Sequence, residues 1–493
     1  MEAESRSPGT DVSDAHAPLY LAIDQGGHAS RALLIDDVGS VVGRGNAEVG
    51  TREPWPDWSE QDPDDVLHSI VSSVRQALPG NRSAKVLAAG LVTQRSNIVC
   101  WRAGSGEPLS PIIGWQDRRG REWIERFAPH QDLVQAHTGL RLSPHYGASK
   151  LHWCLENLPA VHQALAHGDL CIGPLASFLV YRLTAERSFV VDPANAARTL
   201  LYHLEGRDWD PELLRLFEVP RQVLPRCVPT RGDFGSLDID NRRIALRVVS
   251  GDQAAALFGY GAPRAEVAYV NIGTGAFVQR LCGPTAQRHP RLLTSIAFGG
   301  PGADRYVLEG TVNGAGSALA WAEKELGLED LGIRLGTWLE HEQCPDLFLN
   351  GIGGLGAPFW DPAFASSFVG CGEPWQKAAA VAESIVFLIH ENLLEMQHYC
   401  APLQRIQASG GLARLDGLCQ RLADISRVPV FRPAEQEATA RGVAFLLQNA
   451  PATWPESAGT QFVPVENRPF QERYRQWRVA LDQALKSRLS CPC

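Results

Sequence analysis

The sequence predicts an α/β protein built from two similar domains with a cleft between them, and three observations support this prediction. The chain has 493 residues, whereas a single hydrophobic core stops growing near roughly 250–300 residues. Strand-like apolar runs alternate with helix-like runs, which favours sheets covered by helices on both faces. A strand, a glycine turn and a second strand occur in that order near the start of the chain and again beyond its middle. This repeated pattern indicates an internal duplication.

The first element is this strand–turn–strand unit. Residues 19–23 form an apolar run, which stops at the turn formers of residues 24–27 and resumes at residues 31–36. Glycine turns of this kind aim successive backbone N–H groups into one concavity, which favours an anion such as a phosphate. The preceding residues 1–17 are rich in Ser, Asp, Glu and Pro and predict a flexible leader.

The middle of the chain predicts two further strands and then the second copy of the unit. Strand-like runs lie at residues 85–93 and 242–250, and the second run ends at Gly251, Asp252 and Gln253 ahead of a helix-like run. The second copy of the turn is residues 273–275. Because ligands in open α/β folds gather at the carboxyl ends of strands, we expect a site at these ends.

The C-terminal part continues the alternation and ends in a charged helix. That helix carries Tyr474, Trp477 and Leu481 at helical spacing, so it packs either on the body of the chain or on another subunit of a homo-oligomer. The expected elements are a strand at 306–310, a helix at 318–326, a strand at 403–408, a helix at 415–425, a strand at 428–431 and the charged helix at 470–485. The expected divisions are a leader at 1–17, an N-terminal domain at 18–249, a C-terminal domain at 250–447 and an extension at 448–493.

Composition and charge exclude several classes of protein. The chain is 44% hydrophobic and 20% charged, as is typical of folded globular proteins. Its formal charge of −9 leaves no basic excess for nucleic acid. It has neither an apolar run near the ~20 residues that cross a bilayer nor the charge order of a secretory signal, and no C-x-x-C pair suggests a zinc site. We therefore expect a cytoplasmic enzyme with no nucleic-acid or membrane partner.

The motifs of several enzyme classes are absent. The sequence has no GxxxxGK[ST], HExxH or GxSxG. Residues 351–356 match GxGxxG, but a dinucleotide fingerprint must open a helix, and residues 357–362 contain two prolines and no helical period. A dehydrogenase is therefore not favoured.

Several separate segments, in order, resemble the FGGY carbohydrate kinases, and within that family the glycerol kinases most. The segments are Asp24 to Arg31, Trp58 to Pro63, Thr93 to Arg95, Trp115 to Arg119, Lys150 to Asn157, Gly251 to Gln253, Gly273 to Gly275, Ala357 to Pro362, Gly410 to Gly411 and Glu437 to Gly442. The resemblance extends from about Leu19 to Ala444. It implies two actin-like, ribonuclease-H-like domains that bind ATP, Mg²⁺ and a small polyol or sugar in the cleft.

The resemblance also implies roles for individual residues. Asp252 would be the catalytic general base, and Asp24 and Asp252 would hold the magnesium ion. The implied substrate-binding residues are Arg95, Ser96, Trp115, His145, Asp252, Gln253 and Phe277. The implied nucleotide-binding residues are Gly26, Gly27, His28, Arg31, Gly273, Thr274, Gly275, Gly316, Gly410 and Gly411, with the backbone N–H groups of Gly26 and of residues 273–275 directed at the phosphates. Glu309 and Glu383 are left outside the site as structural supports.

The departures from the family pattern keep the substrate open. Gly27 and His28 stand where glycerol kinases have paired Thr, which removes two hydroxyl donors from the first turn. Ser96 replaces a Glu, and His145 replaces a Tyr. Because Ser cannot reach as far as Glu, we expect a reshaped polyol pocket. The alternatives are a ketose (pentulose) kinase, a ligand-binding pseudokinase, and a structural or chaperone-like ATPase of the same fold.

Overall fold

The structure is a computed structural model that describes residues 18–78, 86–302, 304–340, 346–435, 437–455 and 457–489. The leader expected at residues 1–17 lies outside the described residues. Across the described ranges, each helix is too short or too polar to cross a lipid bilayer.

The strands fall into two large mixed sheets and several small ones. In chain order they are β1 (Leu19–Gln25), β2 (Ala29–Ile35), β3 (Val41–Glu48), β4 (Glu60–Gln61), β5 (Val86–Thr93), β6 (Ile98–Arg102), β7 (Ile112–Ile113), β8 (Leu170–Pro174), β9 (Val190–Val191), β10 (Tyr202–His203), β11 (Asp208–Trp209), β12 (Arg226–Cys227), β13 (Ser236–Ile239), β14 (Arg242–Gly251), β15 (Val267–Ile272), β16 (Ala276–Gly283), β17 (Leu293–Gly299), β18 (Asp304–Val312), β19 (Leu347–Leu349), β20 (Ser367–Val369), β21 (Arg405–Ser409), β22 (Val430–Pro433) and β23 (Gly459–Phe462).

The helices cover these sheets. In chain order they are α1 (Pro63–Ala77), α2 (Arg121–Glu125), α3 (Gln131–Thr138), α4 (Gly147–Asn157), α5 (Pro159–Ala166), α6 (Leu175–Leu183), α7 (Pro193–Ala196), α8 (Pro211–Leu216), α9 (Asp252–Ala256), α10 (Gly316–Glu325), α11 (Leu331–Glu340), α12 (Pro374–Met396), α13 (Asp416–Ser426), α14 (Ala438–Leu447) and α15 (Arg468–Leu489).

The two large sheets repeat one strand order, which confirms the predicted duplication. The first sheet runs β3-β2-β1-β5-β14-β13, and the second runs β18-β16-β15-β21-β22-β23 with β17 added beyond β18. Over the six strands that the sheets share, each has two antiparallel pairs, then two parallel pairs, then one antiparallel pair. The chain is therefore an α/β protein of two similar units.

The first sheet is buried on both faces. Successive residues of a strand point to opposite sides of the sheet, and both sides of β1 pack against helices. Leu21 and Ile23 of β1 pack in one cluster with Val66 of α1. Ala22, between them, packs in another cluster with Val443 of α14. Helix α14 lies between β22 and β23 of the second sheet in the chain, so the second half of the sequence covers one face of the first sheet.

The C-terminal helix packs on the body of its own chain, which was one of the two alternatives left open by the sequence. The Phe470 and Trp477 rings of α15 lie 5.1 and 5.3 Å from the Phe387 ring of α12, measured between ring centroids. The Trp477 indole Nε1 donates to the Phe348 carbonyl at 2.9 Å. The apolar stripe of α15 therefore belongs to the core beside the second sheet.

Candidate active site

Three parallel strands of the first sheet end at the same edge, and polar residues stand at or just past each end. Strands β1, β5 and β14 are neighbours in that order. The Gln94 N–H donates to the Gln25 carbonyl at 3.1 Å, and the Arg95 guanidinium donates to the Gln253 side-chain oxygen. The polar residues brought together are Asp24 and Gln25 in β1, Gln94 and Arg95 after β5, and Asp252 and Gln253 after β14.

Asp24 and Asp252 lie close enough at this edge for their carboxylates to interact electrostatically. The pKa of Asp24 is raised to about 7, mainly by burial and also by the nearby Asp252 carboxylate, while Arg31, its cross-strand partner, opposes the shift. Burial also raises the pKa of Asp252, against the effect of Arg95 and of a 2.7 Å hydrogen bond from the Gln253 N–H. Two carboxylates whose charge is not fully balanced fit a hard divalent cation such as Mg²⁺.

Arg95 is fixed by a buried ion-pair cluster that includes Glu309. Its guanidinium lies 3.9 Å from the Asp252 carboxylate and 3.7 Å from Glu309. Arg198 donates to both Glu309 carboxylate oxygens, at 2.8 and 2.7 Å. Although burial alone would raise the pKa of Glu309, Arg198 and Arg95 hold that pKa down to about 2. Glu309 is therefore ionised and serves as the counter-charge for two buried arginines.

Ser96, Trp115 and His145, which the sequence analysis assigned to the substrate, lie on loops, and Lys150 joins those of Ser96 and His145. The His145 and Trp115 rings meet edge to face with centroids 5.2 Å apart. Burial, together with Lys150 and nearby arginines, lowers the pKa of His145 well below its usual value, so the imidazole is neutral. The Lys150 Nζ donates to the Ser96 and His145 carbonyls.

Phe277 lies at the rim of a small cavity rather than in the ion-pair cluster. It is half-buried in β16. The cavity has a volume of about 60 Å³, and Gln253, Asn271 and Gln279 also line it. Gln253 is thus shared between this cavity and the contact with Arg95.

The first glycine turn uses its Gly26 amide internally. The Gly26 N–H donates to the Ala29 carbonyl at 3.0 Å and closes the hairpin, which differs from the expectation that this amide is directed at a phosphate. The Gln61 side chain donates to the Gly27 carbonyl at 2.9 Å. Among the described residues, the Gly27 and His28 amides donate to no other group, so they are the ones available to an anion.

The second glycine turn shows the same correction. The Gly273 N–H donates to the Gly275 carbonyl at 2.8 Å, and the Gly316 N–H at the start of α10 donates to the Gly273 carbonyl at 2.9 Å. The Gly273 and Gly316 amides are therefore also occupied. Within the described ranges the Thr274 and Gly275 amides make no hydrogen bond, so the second turn offers the same two amide positions as the first.

A larger cavity lies between α10 and the loop that follows β21. Its volume is about 400 Å³, and Gly316, Leu319, Gly411 and Leu415 are among its lining residues. Gly410 has a positive φ of 91°, and a Cβ there would lie 2.5 Å from the Ile272 carbonyl oxygen, so only glycine fits. Gly411 instead borders open space.

Three residues of the cluster were missed by the sequence analysis as site residues, although weak signals existed. Glu309 is the charged residue of an otherwise uncharged run at residues 306–312, and a fully buried charge requires a partner. Lys150 stands in the same helical stripe as Gly147 and Cys154, and all three are buried. Arg198 gave no comparable signal.

Glu383 behaves as the sequence analysis expected, as a support away from the site. It accepts hydrogen bonds from Arg421 at 3.2 Å and from Arg473 at 2.9 Å. These bonds join α12 to α13 and α15.

A second cluster of metal-ligand types, away from this edge, has a structural role. The Asp210 carboxylate caps α8 by accepting from the Glu212 N–H at 2.7 Å, and it also pairs with the His137 Nδ1 at 2.6 Å. The His203 Nδ1 accepts from the Gly206 N–H at 2.9 Å. These bonds account for the cluster as a helix cap and a tight turn.

Comparisons with known proteins point to one family over most of the chain. The family models for the N-terminal and C-terminal domains of the FGGY family of carbohydrate kinases match residues 19–259 and 268–450. The chain is 34% identical to the glycerol kinase of Methylobacterium nodulans, with 94% of this chain and 97% of the relative covered. It is 35% identical to the glycerol kinase of Thermus brockianus, with 94% and 98% covered.

Solved structures share the fold. The Plasmodium falciparum glycerol kinase with ADP superposes with a TM-score of 0.86 at 23% identity, covering 95% of this chain and 98% of that one. The gluconate kinase from Lactobacillus acidophilus superposes with a TM-score of 0.82 at 20% identity, with 95% and 98% covered.

Proposed function

The chain belongs to the FGGY family of carbohydrate kinases, and we propose that Asp252 is its general base. The protein is an ATP-dependent phosphotransferase that acts on an alcohol group of a small polyol or sugar. The observation that carries the proposal is the position of Asp252 at the common edge of β1, β5 and β14, within ion-pair distance of Arg95 and in electrostatic contact with Asp24.

In the proposed reaction, the Asp252 carboxylate accepts the proton of a substrate hydroxyl as the hydroxyl oxygen bonds to the γ-phosphorus of ATP. The bond from that phosphorus to the bridging oxygen breaks, and ADP leaves with the electron pair. Burial raises the pKa of Asp252, which makes the carboxylate a stronger base. The Arg95 guanidinium, held by Gln253 and Glu309, orients the acceptor beside it.

We propose that the two glycine turns contact the phosphates. The Gly27 and His28 amides of the first turn, and the Thr274 and Gly275 amides of the second, provide N–H groups for developing negative charge. Arg31 stands opposite Asp24 on the neighbouring strand and adds a cation near the first turn. These amides can contact the phosphates without a change in the turns, because internal hydrogen bonds already close both turns.

The carboxylate pair is proposed to bind magnesium. Asp24 and Asp252 would hold the ion, in keeping with the raised pKa that each has in its absence. When bound, Mg²⁺ neutralises charge on the phosphate oxygens. The cavity lined by Gly316 and Gly411 is proposed to take the adenine, since it lies beside the second turn and is large enough for a planar base.

The acceptor is proposed to be a polyol or ketose larger than glycerol. Relatives of this chain bear the name glycerol kinase, but Ser96 and the neutral His145 are smaller than the Glu and Tyr of the family pattern. Ser96 is buried and follows Arg95 in the chain, and we infer that its shorter side chain leaves room for a larger acceptor beside the Arg95 guanidinium. A longer carbon chain would fill that room.

The test is a coupled ATP-consumption screen over glycerol, four- and five-carbon polyols, ketoses and aldoses, with Asp252→Asn as the blank. We expect turnover that needs an acceptor and is lost in the blank. A catalytic efficiency for glycerol above all other acceptors would refute the larger substrate. Acceptor binding without ADP formation would indicate the pseudokinase alternative, and ATP hydrolysis that no acceptor changes would indicate the ATPase alternative.

A further inference from the structure

A fully buried lysine connects the two loops of the proposed acceptor site. Lys150 lies in the first turns of α4 and has no exposed surface. Its Nζ donates to the Ser96 carbonyl at 2.9 Å and to the His145 carbonyl at 2.8 Å. Ser96 follows β5, whereas His145 precedes α4, so one ammonium group joins backbone segments that are about 50 residues apart in the chain.

The Ser96 backbone needs such a restraint. Its φ of +68° lies in the left-handed region, which non-glycine residues adopt at an energetic cost. A backbone of this kind persists when surrounding contacts fix it. On its C-terminal side, the Asn97 carbonyl accepts from the Leu175 N–H at 3.0 Å, and the bond from Lys150 fixes the Ser96 carbonyl itself.

The second bond of Lys150 fixes the ring that faces Trp115. The His145 N–H donates to the Ser143 hydroxyl at 3.2 Å, and its carbonyl accepts from Lys150. Both backbone polar groups of His145 are therefore bonded, which sets the direction of its imidazole toward the Trp115 ring. Loss of the lysine would free one carbonyl on each loop.

We propose that Lys150 is a positioning residue for the acceptor site, holding the backbones of Ser96 and His145 at the separation that the substrate requires. The inference rests on the proposed function of these two residues. Lys150 touches no reacting atom; it acts through the loops. An ammonium has three N–H donors and a neutral amine has two, so the two bonds are available in either protonation state.

The experiment compares Lys150→Met with a matched variant, Leu151→Met, on the next buried position of α4. Methionine keeps the length of the lysine stem but supplies no donor, so the Ser96 and His145 carbonyls lose their partner. Glycerol and xylitol serve as acceptor probes. We expect the acceptor KM of Lys150→Met to rise roughly ten- to hundred-fold, the ATP KM to stay within two-fold, and Leu151→Met to resemble the parent.

A second readout does not depend on activity. Hydrogen exchange by mass spectrometry, without ligands, should show at least ten-fold faster exchange in peptides covering residues 94–98 and 143–147, and unchanged exchange at residues 270–276. If the parent phosphorylates neither probe, the proposed substrate fails while this measurement still decides the role of Lys150.

Two outcomes would overturn the inference. One is unchanged exchange in both loops together with an acceptor KM within two-fold of the parent. The other is a global fall in stability that Lys150→Gln, which keeps one side-chain N–H₂ group, shares without any change confined to the loops; Lys150 would then be a core residue only. Partial recovery of the acceptor KM in a folded Lys150→Gln would support the positioning role.

Discussion

The first and second sheets share one strand order, but their glycine turns are held in different ways. In the first turn, a side chain from outside the hairpin, Gln61, bonds the Gly27 carbonyl. In the second turn, the backbone N–H of Gly316 bonds the Gly273 carbonyl, and the Ser317 N–H bonds the Thr274 carbonyl at 3.0 Å. A helix N-terminus therefore replaces a side chain as the support of the turn.

This difference follows from where each half carries its insertion. Between β5 and β14 the first half carries residues 94–241, which include Arg95, Ser96, Trp115 and His145 of the proposed acceptor site, and Lys150. Between β18 and β21 the second half carries residues 313–404, with α10 and part of the 400 Å³ cavity. In the proposed function, the duplicated sheet supplies the edge at which the two ligands meet, and the insertions determine which ligand each half contacts.

Removing the charge of Asp252 is the most direct way to break the comparison, since Asp252 directly follows β14 at the edge where three strands of the first sheet end. We expect kcat of Asp252→Asn to fall roughly 10²–10⁴-fold because the proton acceptor is lost. ATP affinity and Tm should change little, because Asn is an acceptable residue at a helix start. Turnover, nucleotide affinity and Tm are measured on one sample.

The control for this variant is Asp62→Asn, which changes an aspartate that caps α1 outside the site. It should retain parental turnover. Turnover of Asp252→Asn within a few-fold of the parent would show that Asp252 is not the base, and a collapsed Tm would show that its role is structural.

Two buried glutamates of the second half, Glu309 and Glu383, give the next test of the comparison. Glu309 and Glu383 each pair with two arginines, but of the two only Glu309 lies beside Arg95 of the proposed acceptor site. Replacing either by Gln leaves buried guanidinium groups without a full counter-charge, so each variant should lose about 3 kcal/mol of unfolding free energy. Only Glu309→Gln should also raise the acceptor KM, by about ten-fold.

Urea denaturation and acceptor kinetics test the pair. Adding Arg198→Met to Glu309→Gln should restore part of the stability, because it removes one unpaired charge. An acceptor KM that rises equally in Glu309→Gln and Glu383→Gln would mean that general loosening, and not the position of Arg95, is responsible.

The sequence was informative where the signal is local. Apolar runs broken by glycine turns predicted the hairpins of both sheets, and the alternation of strands and helices predicted covered mixed sheets. The absence of a helical period after residues 351–356 excluded a dinucleotide fingerprint, and the structure has turns there before the short strand β20. The position of Asp252 between a strand and a helix was likewise visible in the sequence.

Partners distant in sequence were not predictable. Glu309 and Glu383 looked alike, as carboxylates in apolar surroundings, and only the fold shows that one meets Arg95 and the other meets Arg473. The use of the Gly26 and Gly273 amides to close their own hairpins depends on turn geometry that residue types do not determine. The contacts of Lys150 were not predictable because they require two loops, distant in sequence, to meet at the same helix.

The raised pKa of Asp24, in the first sheet, makes the free energy of unfolding depend on pH. Its folded pKa of about 7 exceeds the ordinary value of 3.8, so between these values the folded state binds more protons than the unfolded state. The contribution of Asp24 to stability is therefore present below about pH 4 and is lost as the pH rises through 7. Discounted for its partial exposure, the loss should be about 2 kcal/mol.

Urea denaturation of metal-free protein at pH 5 and pH 8 measures this effect as the difference between the parent and Asp24→Asn. The stability of the variant relative to the parent should increase from pH 5 to pH 8, because most of the loss in the parent occurs between these two pH values. Added Mg²⁺ should stabilise the parent at pH 8 and leave Asp24→Asn unaffected. A parent that gains stability over the variant from pH 5 to pH 8 would contradict the prediction.

The smallest expected effect comes from exchanging hydroxyl groups between the two turns. Thr274 in the second turn carries a hydroxyl next to an amide that is available to an anion, whereas the two available amides of the first turn belong to Gly27 and the exposed His28, neither of which carries a hydroxyl. His28→Thr adds a donor to the first turn without disturbing its closure, because Gly26 and Ala29 make the closing bond. We expect kcat to rise by about two- to five-fold, since one added hydrogen bond to a charged oxygen is worth about 1 kcal/mol at an exposed site.

Thr274→Ala should lower kcat by a similar factor, and the double variant should return near the parental value if the two turns act on the same phosphate group independently. Steady-state kinetics with saturating acceptor measure all three proteins. A fall in kcat for His28→Thr would mean that the imidazole itself contributes to phosphate binding, and the first turn would then use a side chain where the second uses a hydroxyl.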